Sequence, residues 1–285
     1  MDVDDARGAL AGFADLAALP IAAIEGGWAS WTFDVGGWIV RFPRNDDVAD
    51  AARRELRLLP ALAGRLPVAT PVPTHEGMWR GRPFFAYRRI PGRPMGATDG
   101  TPAFLDALAG ALRALHAFPV DEAAGLLGVD PTIAAWRRWY VDVWNAEFEP
   151  CALPALAPQL RAAVAEEFWR VVDGDLAFAP TLTHRDLGPE HVLVDDSTGL
   201  PVGVIDFEDA SIGDPVMDFV APVRLFGRAA WDALARGRDL GQAPEARLGF
   251  YTWCSALHHV VYGVREGVAA EVDSGIATLR ARFAD

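Results

Sequence analysis

The sequence predicts an α+β protein in two parts, a small β-rich N-terminal lobe and a larger, mainly helical C-terminal lobe. Three observations carry this. Runs rich in aromatic and β-branched residues flank Gly36-Gly37. After Ile90-Pro91-Gly92 the apolar residues recur at helical spacing. The strand pattern returns only between 182 and 207, around a dense group of histidines and carboxylates. The expected division is 1–90 and 91–285, and the 285 residues with 51% apolar content suffice for two modest cores.

Taken in order, Leu10, Phe13, Leu16 and Leu19 predict an amphipathic helix over 4–19, stopped by Pro20. Trp31 to Val35, the Gly36-Gly37 turn and Trp38 to Phe42 read as a β-hairpin, ended by Pro43. Residues 48–63 read as a helix, Pro67 to Pro73 as a Pro-rich connector, and Phe84 to Tyr87 as a strand punctuated by Ile90-Pro91-Gly92. Phe104, Leu108, Leu112 and Leu115 then begin a helical region, with further helices over 131–147 and 156–172. His191 to Val194 and Val202 to Ile205 flank a turn at Asp195 to Gly199 and form a second hairpin, after which helices resume near Asp218.

The net charge of −13 argues against nucleic acid or an anionic membrane as partner, because phosphate binding needs a basic footprint, and it suits a cationic small molecule. The acidic opening Met1-Asp2-Val3-Asp4-Asp5 and the lack of a long apolar run predict a cytoplasmic protein, monomer or dimer. Cys151 and Cys254 fit neither a disulfide framework nor a metal knuckle and are expected as buried thiols. All 26 basic residues are arginine, so no lysine is present to act as base, Schiff-base former or phosphate clamp.

The chemistry concentrates in Thr183-His184-Arg185-Asp186-Leu187-Gly188-Pro189-Glu190-His191, followed by Ile205-Asp206-Phe207-Glu208. Pairing of the second hairpin brings His191 and Asp206 side by side across fifteen positions. Phosphoryl transfer passes through a loose, highly charged transition state, so the protein must position groups and neutralise charge. One carboxylate faces the attacking hydroxyl, and others hold Mg²⁺ against the donor phosphates. Asp186 is the expected base; Asp206 and His191 are the expected metal ligands.

The spacing His-x-Asp-x-x-x-x-His, with Ile-Asp-Phe fifteen positions beyond the second His, resembles the catalytic and metal loops of protein-kinase-like antibiotic phosphotransferases. The aminoglycoside and macrolide kinases are the nearest members. Most of that superfamily carries Asn five positions after the catalytic Asp; this chain has His191, as macrolide kinases do. Gly213-Asp214-Pro215-Val216-Met217-Asp218 is similar to a further segment of the family, and Asp214 and Asp218 are expected as scaffolding. His184 is expected to support the loop without touching substrate.

The resemblance implies a protein-kinase-like two-lobe fold with ATP or GTP as donor. Arg41 then stands where the kinase lysine grips phosphate, with Glu55 in the next helix as its partner. Glu25 to Trp31 becomes the loop over the nucleotide, with Gly27 and Ser30 at the phosphates. Arg88, Arg89 and Ile90 become the strap whose backbone binds the base. The implied activity is transfer of the γ-phosphoryl group to a hydroxyl of an aminoglycoside or macrolide.

For the acceptor, Trp136, Tyr140 and Trp253 with Glu208, Asp209 and Glu266 could line a cleft beside the catalytic loop, although aromatic stripes at helical spacing serve equally as core. Other readings stay open: a small-metabolite kinase acting on an amino alcohol or sugar, a metallohydrolase holding zinc through His184, Asp186, His191 and Asp206, and a catalytically silent nucleotide-binding module.

Overall fold

The computed structural model describes residues 1–25 and 29–283. The segment expected as one helix forms two short ones, α1 (Val3–Ala9) and α2 (Ala14–Ala17). Gly12, a poor helix former, lies in the break, and the kink lets Ala6, Leu10 and Leu16 all bury on one sheet face.

That sheet contains β1 (Ile21–Ile24), β2 (Ser30–Val35), β3 (Trp38–Pro43), then, after helix α3 (Asp46–Leu62), β4 (Pro73–Trp79) and β5 (Arg82–Arg88). Its order is β1-β2-β3-β5-β4, every neighbouring pair antiparallel. Val35 pairs with Trp38 across Gly36 and Gly37, whose φ values of 55° and 86° are those of a tight hairpin turn that glycine reaches without a Cβ clash. Side chains alternate across β3 and β5: Trp38, Val40, Phe42, Phe84 and Ala86 pack under α1, while Ile39, Phe85 and Tyr87 face α3 and the rest of the molecule. β1 and β4 were not anticipated. Both are edge strands; β4 alternates half-buried and exposed residues and starts at a proline, so neither carries a strong apolar signal. Asn45 caps α3 by accepting from the Val48 N–H at 2.9 Å, and Glu55 falls in the buried stripe of Ala52, Leu59 and Leu62.

The remainder comprises β6 (Arg93–Pro94), α4 (Pro102–His116), α5 (Val120–Leu127), α6 (Ile133–Val143), α7 (Pro158–Val172), β7 (Thr181–Thr183), β8 (Val192–Val194), β9 (Pro201–Val204), β10 (Ser211–Gly213), α8 (Val220–Phe226), α9 (Arg228–Ala235), α10 (Pro244–Glu266) and α11 (Ala269–Phe283). A π-helical stretch, Trp144–Ala152, continues α6. β6, β8 and β9 form a small sheet with Val192 opposite Val204, and β7 pairs with β10. The chain before β4 is tied to this sheet, since Ala69 donates to the Val202 carbonyl at 2.8 Å and accepts from the Val204 N–H at 2.9 Å. Among the described residues no single helix is long and apolar enough to cross a membrane. Cys254 is buried as expected, whereas Cys151 is only partly covered.

Two buried carboxylates hold the loops after β7 and β10. Asp214 accepts from the Val216 N–H at 3.0 Å, from Arg247 Nε at 2.5 Å and from the Tyr251 hydroxyl at 2.8 Å. Asp218 accepts from the backbone N–H groups of His184 at 3.0 Å and Arg185 at 2.8 Å, and meets His116 Nε2 at 2.8 Å. Arg185 has φ 70°, a left-handed conformation that costs a non-glycine residue about 1 kcal/mol or more, and the paired acceptor oxygens of Asp218 hold it there. Full burial works against the charge on Asp218, but His116 and the loop N–H groups outweigh it and hold the carboxyl below the usual range.

Asp218→Asn keeps the shape but turns an amide donor toward those N–H groups; it should lower unfolding free energy by roughly 3 kcal/mol in guanidinium titrations at pH 7. The sign with pH follows from the lowered folded pKa. The Asp218 contribution is present above the unfolded carboxylate value of about 3.9 and is lost as pH falls through the folded value. The gap between wild type and variant should therefore narrow on acidification.

Candidate active site

The turn Pro189–His191 delivers His191 to the start of β8, and the Ile205 N–H donates to the His191 carbonyl at 3.0 Å, so the ladder sets the end of β9 beside it. His191 Nδ1 lies 2.6 Å from the Asp186 backbone carbonyl, so Nδ1 carries the proton of that hydrogen bond. Nε2 lies on the Asp206 side of the ring, 3.6 Å from Oδ2. Asp186 Oδ2 stands 3.5 Å from Nδ1. Asp206 has φ 66°, a second left-handed non-glycine residue at the same centre. His184 is fully buried with Nε2 2.9 Å from the Ile205 carbonyl, so it braces the segment that carries Asp206.

Arg41, from the centre of β3, reaches this group from the sheet. Its Nη1 lies 3.0 Å from both carboxylate oxygens of Glu55, and its Nη2 lies 2.9 Å from Asp206 Oδ1 and 2.7 Å from Glu208 Oε2. Glu55 also accepts from the Phe207 N–H at 3.2 Å. One guanidinium therefore serves three carboxylates. Burial opposes the charge on Arg41, but Glu55 and Asp206 raise its pKa above even the ordinary arginine value. Burial pushes Glu55 up against the pull of Arg41. Burial likewise pushes Glu208 up to about 8, with Arg41 pulling it down and Asp206 and Glu55 adding repulsion. Asp206 goes the other way: burial is outweighed by Arg41 and His191, and its carboxyl stays low. Asp186 opens to a cavity, yet the protein around it removes enough water to raise its carboxyl, with His191 opposing and Asp209 assisting.

Of the other residues expected at the nucleotide, Gly27 lies outside the described residues, and Ser30 is buried at the start of β2. The strap residues Arg88 and Arg89 turn their side chains onto the N-terminal sheet. The Arg88 guanidinium stacks 3.9 Å from the centre of the Trp38 ring, on the sheet face opposite Arg41, and Arg89 pairs with Asp34 at 2.5 Å. The Arg89 N–H is taken by the Gly37 carbonyl at 3.0 Å, because the β3–β5 ladder runs one pair further than the sequence suggests. No backbone bond engages Ile90 among the described residues.

A cavity of about 1120 Å³ opens beside Asp186 and is walled by Glu208, Asp209, Tyr140 and Glu266. Trp136 and Trp253, expected there, are instead buried in the main core, where Trp136 packs on Tyr140 and Phe250, and Trp253 on Phe250 and Phe283. Helical geometry gives the reason. Trp253 and Glu266 are thirteen residues apart on α10, an angular offset of about 220° at 100° per residue, so they face nearly opposite ways. The cavity face of α10 is Tyr251, Ser255, His258, Tyr262 and Glu266, a spacing visible in the sequence but less apolar than the core stripe beside it. Sequence reasoning also passed over Arg185, whose guanidinium stacks 3.9 Å from the centre of the Trp139 ring on the cavity wall. Its position directly before Asp186 was the available signal. Glu147, on the π-helical stretch, meets the cavity as well and is paired with Arg265 at 3.2 Å.

The donor set around His191 and Asp206 suits Mg²⁺. His191 Nε2 and Asp206 Oδ2 lie 3.6 Å apart, and the His191 ring is fixed through its other nitrogen by a carbonyl, as metal-bound imidazoles usually are. Mg²⁺ typically takes one or two protein ligands and completes its shell with phosphate oxygens and water, so this pair fits it. A zinc centre does not fit. His184 is committed to the Ile205 carbonyl, and no group of three or more His, Cys, Asp or Glu among the described residues is arranged to hold a metal.

Comparison with known proteins agrees with this geometry. Viomycin phosphotransferase from Streptomyces vinaceus is 27% identical over 252 residues, covering 85% of this chain and 86% of that protein. The structure of the GDP and kanamycin complex of APH(2")-IIia superposes with a TM-score of 0.85 at 26% identity, covering 99% of both chains. Macrolide 2'-phosphotransferase MphH from Brachybacterium faecium superposes at 0.70 with 26% identity, covering 97% of this chain and 98% of that one. The sequence profile of the phosphotransferase enzyme family, APH, matches residues 20–251, and with the five-stranded sheet, the Asp186 loop and the Asp206 segment already described, the chain belongs to that family.

Proposed function

We propose that this enzyme transfers the γ-phosphoryl group of ATP or GTP to a hydroxyl of an aminoglycoside or macrolide antibiotic. The observation that carries the reading is the convergence of Asp186, His191 and Asp206 between the Arg41 centre and a cavity of about 1120 Å³. That volume is at or above the upper range of small-molecule sites, which favours an antibiotic-sized acceptor over an amino alcohol. The relatives support both acceptor classes, since kanamycin is in one named complex and a macrolide is named for another. Carboxylates and aromatic rings share the cavity wall, as a polyhydroxylated amine requires.

In this mechanism Asp186 accepts the proton of the acceptor hydroxyl as the oxygen attacks the γ-phosphorus. Its raised pKa makes it a better base than an ordinary carboxylate. Arg41 holds donor phosphate oxygens, with Glu55 fixing its fork, and the backbone at Ile90 receives the base. His191 and Asp206 would hold Mg²⁺, which supplies charge neutralisation on the donor phosphates. The Arg185–Trp139 stack and Asp218 keep the loop backbone from moving while the proton is taken. The reading assigns the enzyme to the cytoplasm, where nucleoside triphosphates are supplied.

Incubating the enzyme with ATP or GTP and one member of each antibiotic class, and reading mass spectra for one added phosphate, tests the proposal; a panel with no phosphorylated antibiotic would sink it. Asp186→Asn should lower kcat by roughly 10²- to 10⁴-fold while nucleotide affinity, measured by calorimetry, changes little. Arg41→Lys keeps the charge but loses the two-nitrogen fork, and should raise the donor KM by about tenfold. Chelation by EDTA should abolish turnover, and added Mg²⁺ should restore it.

A further inference from the structure

Both terminal nitrogens of Arg41 are already engaged. Nη1 is occupied by Glu55, and Nη2 by Asp206 and Glu208. A phosphate oxygen at Nη2 must therefore displace a carboxylate, and the three are not equally held. Glu55 is buried to 1% exposure and also takes the Phe207 N–H, so leaving would strand a second buried group. Asp206 is set by its left-handed backbone and faces His191. Glu208 has Arg41 as its only hydrogen-bond partner among the described residues and stands on the wall of the cavity, with open space to swing into.

We infer that Glu208 is the residue that sets donor affinity: its carboxylate occupies the phosphate position on Arg41 Nη2 and yields it when nucleotide binds. The bond exchanged is one charge-assisted contact for another, Arg41 to carboxylate for Arg41 to phosphate, with no covalent step. Part of the donor's binding energy is spent expelling Glu208, and the expelled carboxylate turns toward the acceptor cavity. This inference rests on the proposed donor site at Arg41.

Calorimetric titration of Mg-ADP and Mg-GDP into wild type, Glu208→Gln and Glu208→Asp at about pH 9, above the Glu208 value of about 8 so that it is a carboxylate, tests it, repeated with EDTA and again at high salt. Glutamine presents only a neutral acceptor to Arg41, and aspartate is one methylene too short to keep the contact. Both variants should bind the diphosphates roughly five- to twentyfold more tightly than wild type, with or without Mg²⁺. The gain should persist at high salt, because it comes from a contact of 2.7 Å rather than from long-range repulsion. Unchanged or weaker binding in the variants overturns the inference, weaker binding only in the presence of Mg²⁺ marking Glu208 as a metal ligand instead. A gain that vanishes in high salt overturns it too. Failure of wild type to bind either nucleotide overturns the donor site at Arg41 itself, which separates the two readings. Thermal unfolding of each variant identifies any that misfold, and either substitution alone is sufficient.

Discussion

The structure depends on a single buried cation. Arg41 leaves the middle of β3 and meets carboxylates from α3 and from the segment after β9, so one side chain links the N-terminal sheet, its helix and the segment that carries Asp206. A buried ion pair returns little net stability over an apolar replacement, but losing one partner costs several kcal/mol because a naked charge remains. The arrangement therefore acts less as glue than as a constraint: the sheet cannot shift against the Asp206 segment without uncovering Arg41. With lysine absent from the chain, arginine is the sole long side chain of fixed positive charge available, and its planar fork lets one residue bind several oxygens at once.

The same centre is electrostatically unbalanced by design of its chemistry. Three carboxylates crowd one guanidinium, and Asp186 and Asp209 lie close enough to add to the repulsion. Such crowding is unfavourable in the absence of further cations and is relieved by any ligand that brings divalent charge with it. Burial makes the effect large, since the protein around Glu55 and Glu208 replaces water that would otherwise screen them.

Opposite this centre, the catalytic loop is positioned by a different device. Asp218 collects two loop N–H groups and His116, and Asp214 collects Arg247, Tyr251 and a helical N–H, so the backbone before Asp186 and the helices α4 and α10 are referred to one pair of fully buried carboxylates. Left-handed backbone at Arg185 and at Asp206 is strain that these contacts maintain on either side of the site. Rigidity of this kind suits a reaction in which charged groups must be held in place rather than rearranged.

Much of this was legible in the chain. Periodicity and turn residues determined the first hairpin, the helix carrying Glu55 and the hairpin carrying His191 and Asp206, because each is a local pattern that the backbone alone enforces. The edge strands β1 and β4 were not legible, since an edge strand half in water needs no apolar alternation. The spacing of His184, Asp186, His191 and Asp206 also determined that they converge, because loop and strand are joined by a short turn. What only the tertiary structure decided lies between distant segments. It separated Trp253 from Glu266 by rotation about α10, put Arg88 and Arg89 on partners within the sheet, set Arg185 on the cavity wall, and gave Glu208 to Arg41 across 167 residues. Sequence specifies which groups are near in the chain, whereas competition among three carboxylates for one buried guanidinium exists only once the elements that bear them have packed.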